Sequence, residues 1–179
     1  MSLMDLLLCQ IQIIQKWNLS HIFKIYIFQQ INLFFAIISY AWEFFHNLKV
    51  YYEDTDAGGV VYYANYLKFL ERARTEALHS IGYSNQKVKK DFGSLIIVKA
   101  CNIEYKKPAS LEDELTIRSF VKSITKTSFF MNQIITKGDD IIVEAQVHLV
   151  FINDLGKPVK IPDEIYSKFK PYFCDTIKT

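Results

Sequence analysis

Within six residues, Asp54-Thr55-Asp56-Ala57-Gly58-Gly59, the chain places two carboxylates next to two glycines. A carboxylate in such a loop can serve as a nucleophile or a general base at a carbonyl carbon. Adjacent glycines accept backbone angles that other residues resist, so the loop can pass close to a bound group. The same composition also describes a solvated turn, because aspartate and glycine are ordinary turn residues. Acyl chemistry needs a second component that stabilises the oxyanion. A helix start can provide it, since its unpaired N–H groups and positive dipole end favour developing negative charge.

Other chemistry-bearing residues are less organised. Glu71 and Glu76 are competing carboxylates, but each has a basic neighbour at helix spacing, Glu71 near Lys68 and Arg74 and Glu76 near Arg72. That spacing reads as a solvated helix face. His21, His46, His79 and His148 form no spaced metal cluster, and His148 reads as an outward residue of a strand. Cys9, Cys101 and Cys174 lack a CxxC pair, so neither a disulfide framework nor a zinc site is indicated and a reducing cytoplasm is expected. The pairs Lys89-Lys90 and Lys106-Lys107 read as solubility features.

The elements that must position the aspartates are legible on both sides. Leu48, Val50 and Tyr52 alternate with Lys49, Tyr51 and Glu53, the period of a half-buried strand. After the loop, residues 64–81 put Tyr66, Leu70, Ala73, Ala77 and Ile81 on one helical face, with Lys68, Arg72, Thr75 and His79 opposite. Gly82 stands where a C-terminal cap is expected. Four strands should follow, at 94–105, 114–124, 128–137 and 141–152, with Pro108 and Gly138-Asp139-Asp140 in the connections. In the last strand Val143, Ala145, Val147, Leu149 and Phe151 share one face. Only the helix at 64–81 is strong enough to cover the dry face. The order β-α-β-β-β-β therefore predicts an α+β fold, an antiparallel five-stranded sheet wrapped around one central helix. Ile161-Pro162-Asp163-Glu164 suggests a short terminal helix.

Half of the 179 residues are apolar, enough for one domain with a sizeable core. Basic and acidic residues number 21 and 19 in mixed order, which argues against a nucleic-acid partner. The charges are unevenly spread, since residues 1–46 hold only Asp5, Lys16, Lys24 and Glu43. The division expected is an apolar extension at 1–43 and a folded domain at 44–179. The uncharged run of 18 residues at 25–42 is near the lower limit for spanning a bilayer, although Gln29, Gln30 and Asn32 weaken it. Ill-ordered, mis-assigned and membrane-associated readings of this extension all stay open.

The stretch 50–76, VYYEDTDAGGVVYYANYLKFLERARTE, closely resembles the 4-hydroxybenzoyl-CoA thioesterase family, especially its bacterial Tol-Pal-associated acyl-CoA thioesterase branch. The resemblance extends more loosely from Phe44 to about Glu164. It implies a hotdog fold, thioester hydrolysis without a metal or other cofactor, and active sites at an interface within a homodimer or homotetramer. It assigns catalysis to Asp56, as nucleophile or general base, and gives Asp54 a structural role. The oxyanion donor it implies is the backbone N–H of Tyr63. Many members of the branch carry histidine at this position; tyrosine here removes any histidine-assisted proton transfer and leaves a main-chain contact intact.

Substrate contacts follow at Gly58, Gly59, Val60, Tyr62 and Asn65, where Asn65 could equally cap the helix. The turn Lys126-Thr127-Ser128 aligns with a basic-serine turn that touches the nucleotide of coenzyme A. Tyr62, Tyr63 and Tyr66 suit an acyl pocket or interface packing. The partner implied is an acyl-CoA, with acyl carrier protein as another carrier, in the cytoplasm or at the inner face of the inner membrane. A membrane-proximal scaffold recognising acyl carrier protein or Tol-Pal components is the alternative. A hotdog dehydratase fits less well, for no histidine lies between Asp56 and Tyr66.

Overall fold

The computed structural model describes residues 43–172, and the expectations for the extension at 1–43 fall outside them except at Glu43, which accepts hydrogen bonds from Arg118 of the sheet. Strand β1 (Phe44–Lys49) opens the sheet and runs into a 3-10 turn, Tyr52–Asp54. The alternation read through Tyr52 thus ends early. Asp54 is buried, and its Oδ2 accepts the Tyr51 N–H at 2.9 Å. This bond closes the turn and leaves Tyr52 81% exposed.

The central helix α1 (Asn65–Ser80) follows the glycine loop. Its buried side chains, Tyr66, Phe69, Leu70, Ala73, Ala77 and Leu78, form the stripe expected of an amphipathic helix. Gly82, at φ +88°, terminates it with its N–H donating to the His79 carbonyl at 2.9 Å. Its outer face differs from expectation at Arg72 and Glu76. Glu76 lies 3.8 Å from His79, while the Arg72 guanidinium sits over the Phe69 ring at 6.0 Å, so the spacing of Arg72 and Glu76 does not produce their ion pair.

A second helix, α2 (Asn85–Phe92), is an addition to the expected order. It carries a single buried residue, Val88, and so lacks an apolar stripe; Ser84 caps it by accepting the Lys87 N–H, and Gly93 ends it in the left-handed region at φ +58°. Strands β2 (Leu95–Tyr105), β3 (Glu114–Ile124), β4 (Ser128–Lys137) and β5 (Asp140–Ile152) then complete an antiparallel sheet in the order β1-β3-β4-β5-β2. The final short helix α3 (Asp163–Phe169) has Pro162 as its N-cap.

Helix α1 packs most closely against β1 and β3. Two apolar clusters result. One holds the first half of α1 against Val50, Val61, Leu115, Ile117, Ile135 and Val143; the other joins its second half to Val88, Phe129, Phe151, Ile165 and Phe169. Strand β2 occupies an edge, and a register shift between Val98 and Ala100 marks a bulge. Because of that bulge, Val98 and Cys101 pair with Leu149 and Val147, both inward residues, and so share the helix-facing side. No helix among the described residues is long and apolar enough to cross a membrane.

Candidate active site

The aspartate loop is a small closed structure. Thr55 bridges Val61, Val60 bridges Ser110, and the Val61 N–H donates to the Ala109 carbonyl at 2.8 Å. Inside this frame the Asp56 N–H donates to the Val60 carbonyl at 2.9 Å, and the Asp56 carbonyl accepts the Gly59 N–H at 3.0 Å. Gly59 has φ +75°, a conformation that glycine adopts without penalty. The Asp56 carboxylate is exposed, and its Oδ1 accepts the Gly58 N–H at 2.7 Å. Oδ2 has no partner among the described residues.

Asp54 fastens this loop to the helix. Its carbonyl accepts the Tyr62 N–H and the Asn65 Nδ2–H, each at 2.9 Å. Asn65 is buried and forms the first residue of α1, and Ala64 is the cap position. Its side chain therefore ties the helix to the preceding turn instead of capping it. At the tip, the Tyr62 carbonyl accepts the Asn65 N–H at 2.8 Å, whereas the N–H groups of Tyr63 and Ala64 meet no acceptor among the described residues. Two consecutive donors thus stand at the positive end of α1.

Tyrosines wall this tip. The rings of Tyr62 and Tyr63 lie 4.6 Å apart and Tyr105 meets Tyr63 edge-on at 6.3 Å. The Tyr105 hydroxyl donates to the Tyr63 carbonyl at 3.3 Å. Tyr66 is different: it is buried, its hydroxyl accepts the Ala109 N–H at 3.0 Å, and burial raises its pKa above the ordinary phenol value despite that bond. Tyr66 therefore belongs to the core, while Tyr62 and Tyr63 remain exposed. Tyr105 arrives from the end of β2, and nothing in the local sequence pattern distinguishes it.

The turn at Lys126-Thr127-Ser128 lies elsewhere. Thr125 Oγ1 accepts the Ser128 N–H at 3.1 Å and lies 2.9 Å from Ser128 Oγ, and Ser128 is buried. Lys126 is exposed, with its carbonyl taken by the Ile161 N–H at 2.9 Å. Strand β3 separates this turn from the aspartate loop: its first residues adjoin Val50 and Asp113, and its last adjoin the turn. Eleven strand residues span roughly 35 Å, so one subunit does not bring the two groups together.

On the helix, Glu71 Oε1 accepts the Thr75 hydroxyl at 2.8 Å, and among the described residues no ion pair joins Glu71 to Lys68 or Arg74. Arg74 instead turns inward. Its Nη1 donates to Gln133 Oε1 at 2.8 Å, and the fully buried Gln133 donates through Nε2 to the Leu70 carbonyl at 3.1 Å and to Ser119 Oγ at 3.0 Å. Burial lowers the Arg74 pKa from its usual value, with Glu71 and Cys101 opposing. Helix spacing alone reads Arg74 as surface; only the position of β4 reveals its partner. Among the described residues no group of three His, Cys, Asp or Glu side chains is placed to hold a metal ion.

Comparison with known proteins agrees with this architecture. The model of the thioesterase-like superfamily matches residues 50–169. The acyl-CoA thioester hydrolase YbgC of Escherichia coli is 40% identical over 125 residues, covering 69% of this chain and 92% of that protein. The acyl-CoA thioesterase YbgC of Haemophilus influenzae is 37% identical over 124 residues, covering 68% of this chain and 90% of that protein. A solved structure, a probable thioesterase from Bartonella henselae, superposes with a TM-score of 0.64 at 35% identity, covering 66% of this chain and 98% of the other. With the family model spanning the aspartate loop, the central helix and all four later strands, the chain belongs to the thioesterase-like superfamily and has its hotdog fold.

Proposed function

We propose that the protein hydrolyses acyl-CoA thioesters to a free acid and coenzyme A. The observation that carries this reading is the aspartate loop itself. One Asp56 oxygen is anchored on the Gly58 N–H, the other is unengaged among the described residues, and Asp54 fastens the loop to a helix tip with two open N–H donors. Asp56 attacks the thioester carbonyl or takes a proton from the attacking water. The Tyr63 N–H, with that of Ala64 beside it, receives the oxyanion. Gly58, Gly59, Val60, Tyr62 and Asn65 shape the surrounding contacts. The similarity to two proteins named as acyl-CoA thioester hydrolases supports the substrate class.

The same reading calls for a homodimer as the minimum unit. Strand β2 is an edge of eleven residues, and Ile97, Val98 and Tyr105 on it are 40%, 47% and 45% exposed. Such an edge invites pairing. Antiparallel pairing of two β2 edges sets the Tyr105 end of one copy beside the Leu95 end of the other. Leu95 pairs with Ile152, and the neighbouring Phe151 N–H donates to the Thr127 carbonyl, so the Lys126 turn of one subunit comes to the aspartate loop of the other. Lys126, Thr127 and Ser128 then meet the coenzyme A nucleotide. Acyl carrier protein as an alternative carrier, a Tol-Pal association and a position at the inner membrane extend this reading.

The test is thiol release from acyl-CoA esters by the wild-type chain and by Asp56→Asn. Asparagine keeps an acceptor for the Gly58 N–H, so the variant should fold normally and lose turnover. Wild-type rates in the folded variant would refute the assignment of Asp56.

A further inference from the structure

Because α1 packs most closely against β1 and β3, the middle of the inner face of β2, at Val98 and Cys101, is left uncovered beside it. A groove of about 580 Å³ fills that gap, with Leu67, Glu71 and Arg74 on the helix wall and Val98, Cys101 and Val147 on the sheet wall. It continues into a smaller cavity of about 110 Å³ that shares Glu71, Arg74 and Val98 and ends on Leu78, Phe129 and Phe169. The helix-wall residues follow one another at helical spacing from the first turn of α1 inward. The groove therefore begins at Leu67, about one turn past the open N–H donors, and leads away from them between the apolar sheet wall of Val98, Cys101 and Val147 and a helix wall that carries Lys68, Glu71, Arg72 and Arg74.

Arg74 stands where the two spaces join. A guanidinium carries five N–H donors, and the described residues occupy one of them, through Gln133 Oε1. Gln133 cannot turn away, because its amide nitrogen is already committed to Leu70 and Ser119. No carboxylate among the described residues forms a direct ion pair with Arg74; Glu71, on the same helix face, acts on it only through space, and its Oε1 accepts the Thr75 hydroxyl. Lys68 and Arg72 border the same groove, so cations outnumber the single carboxylate there. A partly buried cation with no directly bonded counter-ion is costly, and an anionic ligand group would relieve that cost.

We propose that Arg74 selects acyl groups ending in a carboxylate, so that the preferred substrates are coenzyme A monothioesters of medium-chain dicarboxylic acids. This inference rests on the thioesterase reading above and adds its substrate class. The thioester carbonyl sits at the helix tip, the methylene chain lies along Leu67, Val98 and Cys101, and the distal carboxylate meets the guanidinium. From Ala64 to Arg74 the helix advances roughly 15 Å, and the arginine side chain leans back toward the N-terminus. An extended chain advances about 1.2 Å per bond, so a diacid of about six to ten carbons bridges the two.

The experiment compares suberyl-CoA with octanoyl-CoA, which have equal chain length and differ in the terminal group. For the full-length wild-type chain, kcat/KM should favour suberyl-CoA by about tenfold or more. In Arg74→Met that ratio should collapse to one or below, while Arg74→Lys should retain part of it. A wild-type ratio at or below one, with octanoyl-CoA hydrolysed in an Asp56-dependent manner, overturns the substrate inference and leaves the thioesterase reading standing. A ratio that survives in folded Arg74→Met likewise overturns it. Absence of Asp56-dependent hydrolysis of both esters removes the thioesterase reading and this inference together.

Discussion

The two ends of helix α1 are built differently. At the near end Tyr62, Tyr63 and Leu67 are 44%, 60% and 44% exposed, and the chain is held by hydrogen bonds converging on the Asp54 carbonyl. At the far end Ala77, Leu78 and Ile81 are sealed beneath Val88 of α2 and Ile165 and Phe169 of α3. Apolar burial stabilises the far end by removing surface from water. A second apolar cover over the near end would close the helix tip that we propose receives the substrate. There the buried Tyr66, Phe69 and Leu70 anchor the inner side of the helix, and hydrogen bonds fix the preceding loop while leaving its surface free.

The sharpest way to break this contrast is Asp56→Asn, which should lower thiol release by roughly three orders of magnitude with little change in the melting transition. Ile165→Ala should do the opposite. Ile165 is fully buried at the closed end, so its truncation should cost about 2–5 kcal/mol in urea unfolding, with thiol release per folded molecule unchanged. Gly58→Ala probes the open end more gently. A Cβ there would lie 3.0 Å from Asp56 Oδ1, so the carboxylate must shift, and turnover should fall about tenfold with stability nearly intact.

Asn65→Ala links the two properties. Loss of its buried bond to the Asp54 carbonyl should cost about 1 kcal/mol and slow thiol release as the loop loosens from the helix. The smallest effect is a pH dependence at the loop entering β3. Burial alone would raise the Asp113 carboxyl, but Lys137 at 2.7 Å and the Ser110 N–H at 2.8 Å outweigh it and hold it below the ordinary value. A depressed folded pKa contributes stability above the unfolded value of about 3.9 and loses it as pH falls through the folded one. Melting curves of Asp113→Asn and the wild type should therefore converge under strongly acidic conditions.

Much of this was legible before any coordinates. The apolar stripe of α1, the glycine stop at Gly82 and the alternation in β5 depend on local periodicity, and each appears where the pattern places it. Helix α2 escaped because it buries only Val88; its signals were the caps Ser84 and Gly93. The early end of β1 escaped because the Asp54 carboxylate captures the Tyr51 N–H, and alternation does not register a side-chain bond to the backbone. Asn65 suited a cap by residue type, yet its amide is drawn eleven residues back, to Asp54.

By itself the sequence determined that a carboxylate loop runs directly into a helix start, because both lie within one short segment and obey backbone rules that need no distant partner. The tertiary structure alone decided which remote side chains join them. Tyr105 reaches Tyr63 across 42 residues and Gln133 reaches Arg74 across 59. Such meetings depend on strand order and on the side of the sheet that the helix covers. Neither is written in the periodicity of any one element, since both arise from burying several apolar faces at once.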